Sequence, residues 1–568
     1  MKNQINMKRL TTLIIISNLF LLGELKAQFN VTWASDYQHT TSSGYSNEGR
    51  EVVTDTIYDF VYTLNDVKSD LDPNGVVTGQ GYSYVVLAKY DASGNLIDNV
   101  TIDVGLLYVN GFEEKSGFGL QVDPSGNVYI GYNSYTAATN FDINLAKYNN
   151  QLNLVWSYKF NAITEDLGIA MEVNNGTSFA ILKSSGGGTS RSRIIKASGS
   201  GTSAIPLYTY SNQPDYLSDL TVDATQKIYT TGYRIVAGSK AILMSCVNSL
   251  GTLLWSKIDN CGTVTGDDFS RDINLGYDGY LYITGSSQGT VQHGVDALIM
   301  KFNPTNGKKM WESFINVNLT DGGFFVINPD PNYVFAAWSA LNSVFIDQIS
   351  AADGTQIRRV SYAPIPVVPY NSLTGATISD MKMSKRQNIY LTGGVTGISG
   401  GQNFSSAFLM RASFSSRGVP NVNLTLPVTG NPAASLRGTG VAFDESNLKV
   451  YLLEDESDTY TTHADERVWL LSVSVPGTLR MDEDGTESGD AILNIETSPN
   501  PVSNELHIRS NTPINKIEIS DINGKLLLSE NVTESSEAHI DFSKFSGGMY
   551  LVKVYDNTGN STMSKIIK

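Results

Sequence analysis

Hydrophobic and polar positions follow one unit that returns along the chain. An apolar strand runs into an Asp/Asn-Gly turn. A second strand, apolar at successive positions and carrying tyrosine, ends in Thr-Gly. A variable loop leads to a third strand that ends near lysine. A polar turn then leads to a fourth strand with tryptophan. The clearest copies are residues 122–131, 143–148 and 154–156; 222–232, 241–244 and 253–255; and 277–285, 297–302 and 310–311. Residues 389–393 with 407–411, and 450–452 with 468–471, carry the same pattern without the tryptophan strand. Weaker copies centre on Phe179 and Val334, and a degenerate first copy runs through Phe60-Val61-Tyr62 and residues 84–90. From Tyr129 onward the centres step by about 50 to 61 residues, the size of a four-stranded propeller blade. A strand apolar at successive positions is covered on both faces, as the middle strands of radially stacked blades are.

The pattern predicts an all-β chain with an eight-bladed β-propeller over residues 28–479. A seven-bladed ring, with one weak unit folded elsewhere, is the alternative. The last unit has no tryptophan strand of its own. Val31-Thr32-Trp33-Ala34 reads like Leu154-Val155-Trp156-Ser157. It is predicted to complete the eighth blade as outer strand and cover its edge.

The two ends read differently. Lys2, Lys8 and Arg9 precede a short apolar run over 10–22, and Leu25-Lys26-Ala27 closes it. This is the layout of a secretory signal peptide over 1–27, cut between Ala27 and Gln28. The run is about 13 residues, short of the roughly 20 a spanning helix needs. No later segment is apolar enough to be transmembrane, and with no cysteine near the cut a lipoprotein anchor is excluded. Residues 480–497, with Asp482, Glu483, Asp484, Glu487, Asp490 and Glu496 among glycines, read as a solvated acidic linker. They lack the oxygen spacing of a calcium loop. From Ser498 to Lys568, alternating strands with Asn-Gly and Gly-Gly turns predict a small antiparallel β-sandwich.

That last segment resembles the type A C-terminal sorting domain of type IX secretion cargo. The resemblance rests on Pro499, Asn500 and Pro501, on Gly524 in its Asn-Gly turn, on Gly548 and Tyr550 in Gly-Gly-Met-Tyr, and on the ending from Lys565 to Lys568. Ser498 stands where an aromatic is common. The resemblance implies export from a Gram-negative bacterium through the periplasm, with the type IX machinery as partner, and release to the medium or attachment at the surface. The upstream units are similar to a bacterial β-propeller repeat family, on Gly126-Asn127-Val128-Tyr129 and Asp296-Ala297-Leu298-Ile299-Met300-Lys301. That similarity implies a fold rather than a chemistry.

Composition narrows the function further. The formal charge is −16 and the pI about 4.8, which disfavours nucleic acid and anionic membrane as partners. The two cysteines, Cys246 and Cys261, are not predicted to bond. The turn pairs Asn248 with Thr252, which sets Cys246 opposite Leu254 and Cys261 out of reach. His39, His293, His463, His507 and His539 are not spaced for zinc, and no HExxH, nucleophile elbow or P-loop occurs. No catalytic residue, cofactor site or metal ligand is therefore predicted. The expected function is a non-catalytic binding protein for a glycan or protein ligand. The ligand is expected on the face with long loops: residues 131–141, 285–295, 393–404, 453–467 and 259–272. The acidic run 454–460 is expected as one solvated loop there, with binding of a cation or a basic partner as the alternative. The alternatives are a propeller enzyme, quinoprotein-like (from the Trp-bearing turn 303–311) or a hydrolase, and a structural surface component.

Overall fold

A computed structural model of the chain describes residues 30–37, 45–55, 57–71, 77–105, 117–136, 140–160, 165–186, 189–198, 205–210, 215–261, 266–288, 295–315, 321–328, 331–340, 343–362, 372–383, 388–399, 402–413, 422–426, 434–444, 449–458, 467–474, 495–498, 502–521, 526–556 and 561–568. The predicted signal peptide, its cleavage site at Ala27 and Gln28, and most of the acidic linker lie outside them. No helix among the described residues is long and apolar enough to cross a membrane.

The described residues form eight four-stranded antiparallel sheets and one five-stranded sheet. Seven of the eight use consecutive strands. They are called sheets 1 to 7 in chain order, from Tyr45–Asp55 in sheet 1 to Val422–Leu426 in sheet 7. Sheet 8 takes Ala434–Asp444, Lys449–Asp458 and Arg467–Ser474, and its outer strand is Asn30–Tyr37 from the opposite end of the chain. Trp33 pairs with Ser472 and Ala34 with Leu471, so the segment expected to close the ring lies on the Arg467–Ser474 edge.

The first strand of each sheet packs against the first strand of the next, and that of sheet 8 against that of sheet 1. First strands therefore surround a common axis in a propeller-like arrangement. The apolar cores lie between sheets. Val52, Val86 and Tyr84 of sheet 1 share one with Tyr451, Leu453 and Leu470 of sheet 8. This two-sided burial is what the uninterrupted apolar second and third strands require.

The recurring polar residues build turns and joints. The Asp123 carboxylate accepts N–H bonds from Ser125 and Asn127 and the Tyr129 hydroxyl at 2.9 Å. Asp223 does the same for Thr225, Lys227 and Tyr229. Gly126 supplies the left-handed residue of the first turn, at φ +76°. The tryptophans reach the next sheet: Trp255 Nε1 donates to Pro304 O at 2.8 Å, and Trp311 Nε1 to Ala351 O at 3.1 Å. Gly307, at φ +67°, lies so close beneath Trp255 that a Cβ there would meet the ring at 2.6 Å. Lysines bridge likewise. Lys301 Nζ donates to Ala351 O at 2.7 Å, and Lys449 Nζ of sheet 8 to Ala92 O of sheet 1 at 3.0 Å.

Three expectations change. The second strands of sheets 2, 7 and 8 run on to Thr136, Ser399 and Asp458, and third strands restart at Asn140 and Gln402. The expected long loops at 131–141 and 393–404 are thus mostly strand, because a polar residue is tolerated once a strand passes beyond the core. The acidic run 454–460 is not a solvated loop at its start: Glu454–Asp458 continues the strand, and Glu454 is fully buried. Cys246 pairs with Trp255, not Leu254, because a bulge between Cys246 and Val247 shifts the register by one. Both cysteines are free and buried, and Cys261 Sγ lies 3.8 Å from Met300 Sδ of the next sheet.

Candidate functional site

The five-stranded sheet and the turn beside it carry four of the eight sorting-signal residues the sequence singles out: Gly548, Tyr550, Lys565 and Lys568. Its long strand Glu505–Asp521 pairs along its length with Leu526–Asp541. On its other edge it pairs first with Ile495–Ser498 and then, past a break after Ser510, with Met549–Asp556. The break lets the sheet fold over itself. The Thr497 and Ser564 hydroxyls, on strands at opposite ends of the sheet order, come within 3.0 Å. Ile508, Ile517, Ile519, Ile540, Val552 and Val554 fill the interior. The strand Ile495–Ser498 places the start of this sheet three residues earlier than Ser498, inside the predicted linker.

Gly548, Tyr550 and Lys568 converge at the end of this unit. The backbones of Gly548 and Lys568 exchange two hydrogen bonds, at 3.0 and 2.8 Å. The Lys568 ammonium donates to Phe545 O at 2.6 Å and also to Phe542 O, so the last side chain caps the short 3-10 turn Phe542–Lys544. Tyr550 packs edge to face against both Phe542 and Phe545, and its hydroxyl donates to Ser546 O at 2.7 Å. A groove of about 440 Å³ opens beside the turn, lined by Leu527, Ile540, Phe545 and Tyr550 with Glu530 and Lys544. Pro499, Asn500, Pro501 and Gly524 lie outside the described residues; Lys565 lies in the final strand, opposite Leu551. The sequence missed the role of Phe542 and Phe545, which repeat no motif.

Residues 498–568 match the family described as "Secretion system C-terminal sorting domain". The chain is type IX secretion cargo. Its tail directs it to the cell surface or the medium through contact with the type IX machinery. Among solved structures, the type IX cargo is similar to PorZ, an essential bacterial surface component of the type-IX secretion system of Porphyromonas gingivalis. Identity is 11% over 91% of this chain and 81% of that one, with a TM-score of 0.36. It is also similar to the Dos1 propeller (8%, 79% and 96%, TM-score 0.36) and to hydrazine synthase of Kuenenia stuttgartiensis (10%, 69% and 99%, TM-score 0.38). No curated protein matches the chain.

In the ring of this cargo protein, carboxylates line the axis. Every first strand has a register shift, and an acid stands just past one in four sheets: Glu51, Asp219, Asp272 and Asp380. Each accepts the backbone N–H of a residue in the next sheet: Leu120 at 2.8 Å, Ile273 at 3.0 Å, Val326 at 2.7 Å and Val441 at 3.0 Å. Lys382, half exposed, lies 3.2 Å from Asp380, and the charges of Asp380, Glu51 and Asp272 favour its ammonium form. These acids are joints between sheets. A bulge leaves no mark in the hydrophobic pattern, and so the sequence did not single them out.

Burial gives the joints a pH signature. It pushes Asp455, which accepts from Gly49 N–H and faces Glu48, Arg50 and Arg437, up to about 8. It pushes Glu172 up to about 7 and Asp272 to about 6, and raises Asp219, beside Asp272, well above its ordinary value. Unfolded carboxyls titrate near 4. Between about pH 4 and 8 the folded chain therefore holds more protons than the unfolded one, and stability falls as pH rises. The melting temperature should be lower at pH 8.5 than at pH 5.5, and Asp455→Asn should flatten the upper part of that slope. A melting temperature that rises over this range would contradict the assignment.

The remaining predicted sites are less concentrated. His39, His293 and His463 lie outside the described residues, as does much of the long-loop face, including 289–294 and 459–466. Asp259, Cys261 and Glu312 cluster, but Lys309 already bridges both carboxylates, at 2.9 and 2.6 Å, and burial pushes the Cys261 thiol strongly up. His507 and His539, 32 positions apart in sequence, stand side by side.

Proposed function

We propose that this cargo is an eight-bladed β-propeller followed by a β-sandwich sorting tail. It passes through the periplasm of a Gram-negative cell and acts outside it as a non-catalytic binding protein for a glycan or a protein. One observation carries the reading. The repeated Asp, Tyr, Lys and Trp side chains are engaged in turns and sheet-to-sheet bonds, so they build a rigid scaffold rather than a reaction centre. On such a scaffold, recognition belongs to the loops that differ from blade to blade. The groove beside the Phe542–Lys544 turn offers the export machinery a contact surface.

The test uses the purified mature chain on glycan and secreted-protein arrays, with hydrolase assays and an absorbance spectrum alongside. Saturable binding to a defined ligand class, with no turnover, is the expected result. A bound quinone chromophore, or turnover of an array ligand, would overturn it in favour of an enzyme.

A further inference from the structure

The tail carries a set of side chains outside the sorting-motif residues named above. Glu505 and His507 are two residues apart on one strand, so they project from the same face. His539 lies directly opposite His507 on the neighbouring strand. The two imidazole rings stand 4.4 Å apart, inclined at 74°. The Glu505 carboxylate spans them, with Oε2 3.6 Å from His507 Nε2 and Oε1 3.7 Å from His539 Nδ1. One ligand atom from each of the three residues falls within 4.8 Å of the others. All three side chains are about half exposed, while their strand neighbours Leu506, Ile508, Ala538 and Ile540 are buried. The sheet therefore fixes the positions of the three Cα atoms and leaves the rings free to turn.

We propose that Glu505, His507 and His539 form a binding site for a divalent transition-metal ion, zinc being the best match. Zinc takes imidazole nitrogen and carboxylate oxygen at about 2.0–2.2 Å, which puts ligand atoms of a tetrahedral site roughly 3.3 Å apart. The observed separations of 3.6 and 3.7 Å, one from each carboxylate oxygen, are a few tenths of an ångström wider, and ligand atoms taken one from each residue all lie within 4.8 Å, so side-chain rotation can bring them to that spacing. They are also too long for good hydrogen bonds, so the carboxylate does not already satisfy those ring nitrogens. Two imidazoles exclude calcium and magnesium, which select oxygen ligands. The surroundings do not compete. Arg509 is paired with Glu537 at 3.0 Å, and Asp541, opposite Glu505, accepts from Ser543 N–H and faces Lys544. Three protein ligands leave a fourth position for water or for a ligand from another molecule.

The test is titration of residues 28–568, produced without export and without added histidines, with zinc and separately with cobalt. One ion per chain is expected, unaffected by excess calcium or magnesium, with the visible bands of tetrahedral cobalt. Partners one shell out from a metal are worth about 10–100-fold in affinity, so loss of a ligand should cost at least that in His507→Ala and in His539→Ala. Glu505→Gln, which keeps shape and polarity, is the second variant and should also weaken binding. Because the three residues are exposed, the variants should melt like the parent chain in the absence of metal. No stoichiometric binding, or binding that persists in the double variant His507→Ala/His539→Ala, would overturn the proposal; the latter would place the ion elsewhere, as at Cys261.

Discussion

A chain ended after residue 494 should stay inside the cell envelope, with surface and medium signal falling to background, while the full chain reaches one or both. The tail is a folded unit with its own apolar core, and it is this unit that matches the sorting family. The structure sets the place of the cut. Ile495–Ser498 pairs with Glu505–Asp521, so a cut at Ser498 would leave a strand without its partner. Fractionation into periplasm, outer membrane and medium, followed by immunoblotting against the ring, reads the outcome. Truncated protein in the medium of intact cells would remove the tail's role.

Loss of residues 28–44 should be nearly as damaging, through stability rather than transport. Asn30–Tyr37 is the outer strand of sheet 8, paired over seven register positions with Arg467–Ser474. At about 0.5–1.5 kcal/mol per hydrogen bond, the ladder alone is worth roughly 5 kcal/mol. That is comparable to the whole stability of a marginal domain. The deletion also leaves a long unpaired edge, a template for association between chains. The expected result is a large fall in melting temperature together with concentration-dependent aggregation. An undiminished melting temperature would mean that the strand does not close the ring.

The ring was legible in the sequence because its signal is repeated. Tyr129, Tyr229 and Tyr282 occupy the same place in sheets 2, 4 and 5, each bonded to the aspartate of its own turn. Trp33 was legible for the same reason, since a missing outer strand at one end matched a spare one at the other. Features that break the repeat were hidden. Asp219 and Asp272 act through bulges, which alter geometry without altering hydrophobic order. A bulge likewise moved the partner of Cys246 by one residue. Glu454 and Asp455 looked like loop acids because composition cannot show where a strand stops. The His507–His539 pair needed the register between two long successive strands, and periodicity within each strand does not supply one.

An experimental density map of the mature chain, clear enough to trace single strands, tests the central claim most directly. The account predicts eight four-stranded sheets around one axis, with Asn30–Tyr37 lying against Arg467–Ser474 in the last of them. A ring of seven, or residues 30–37 paired anywhere else, would contradict it.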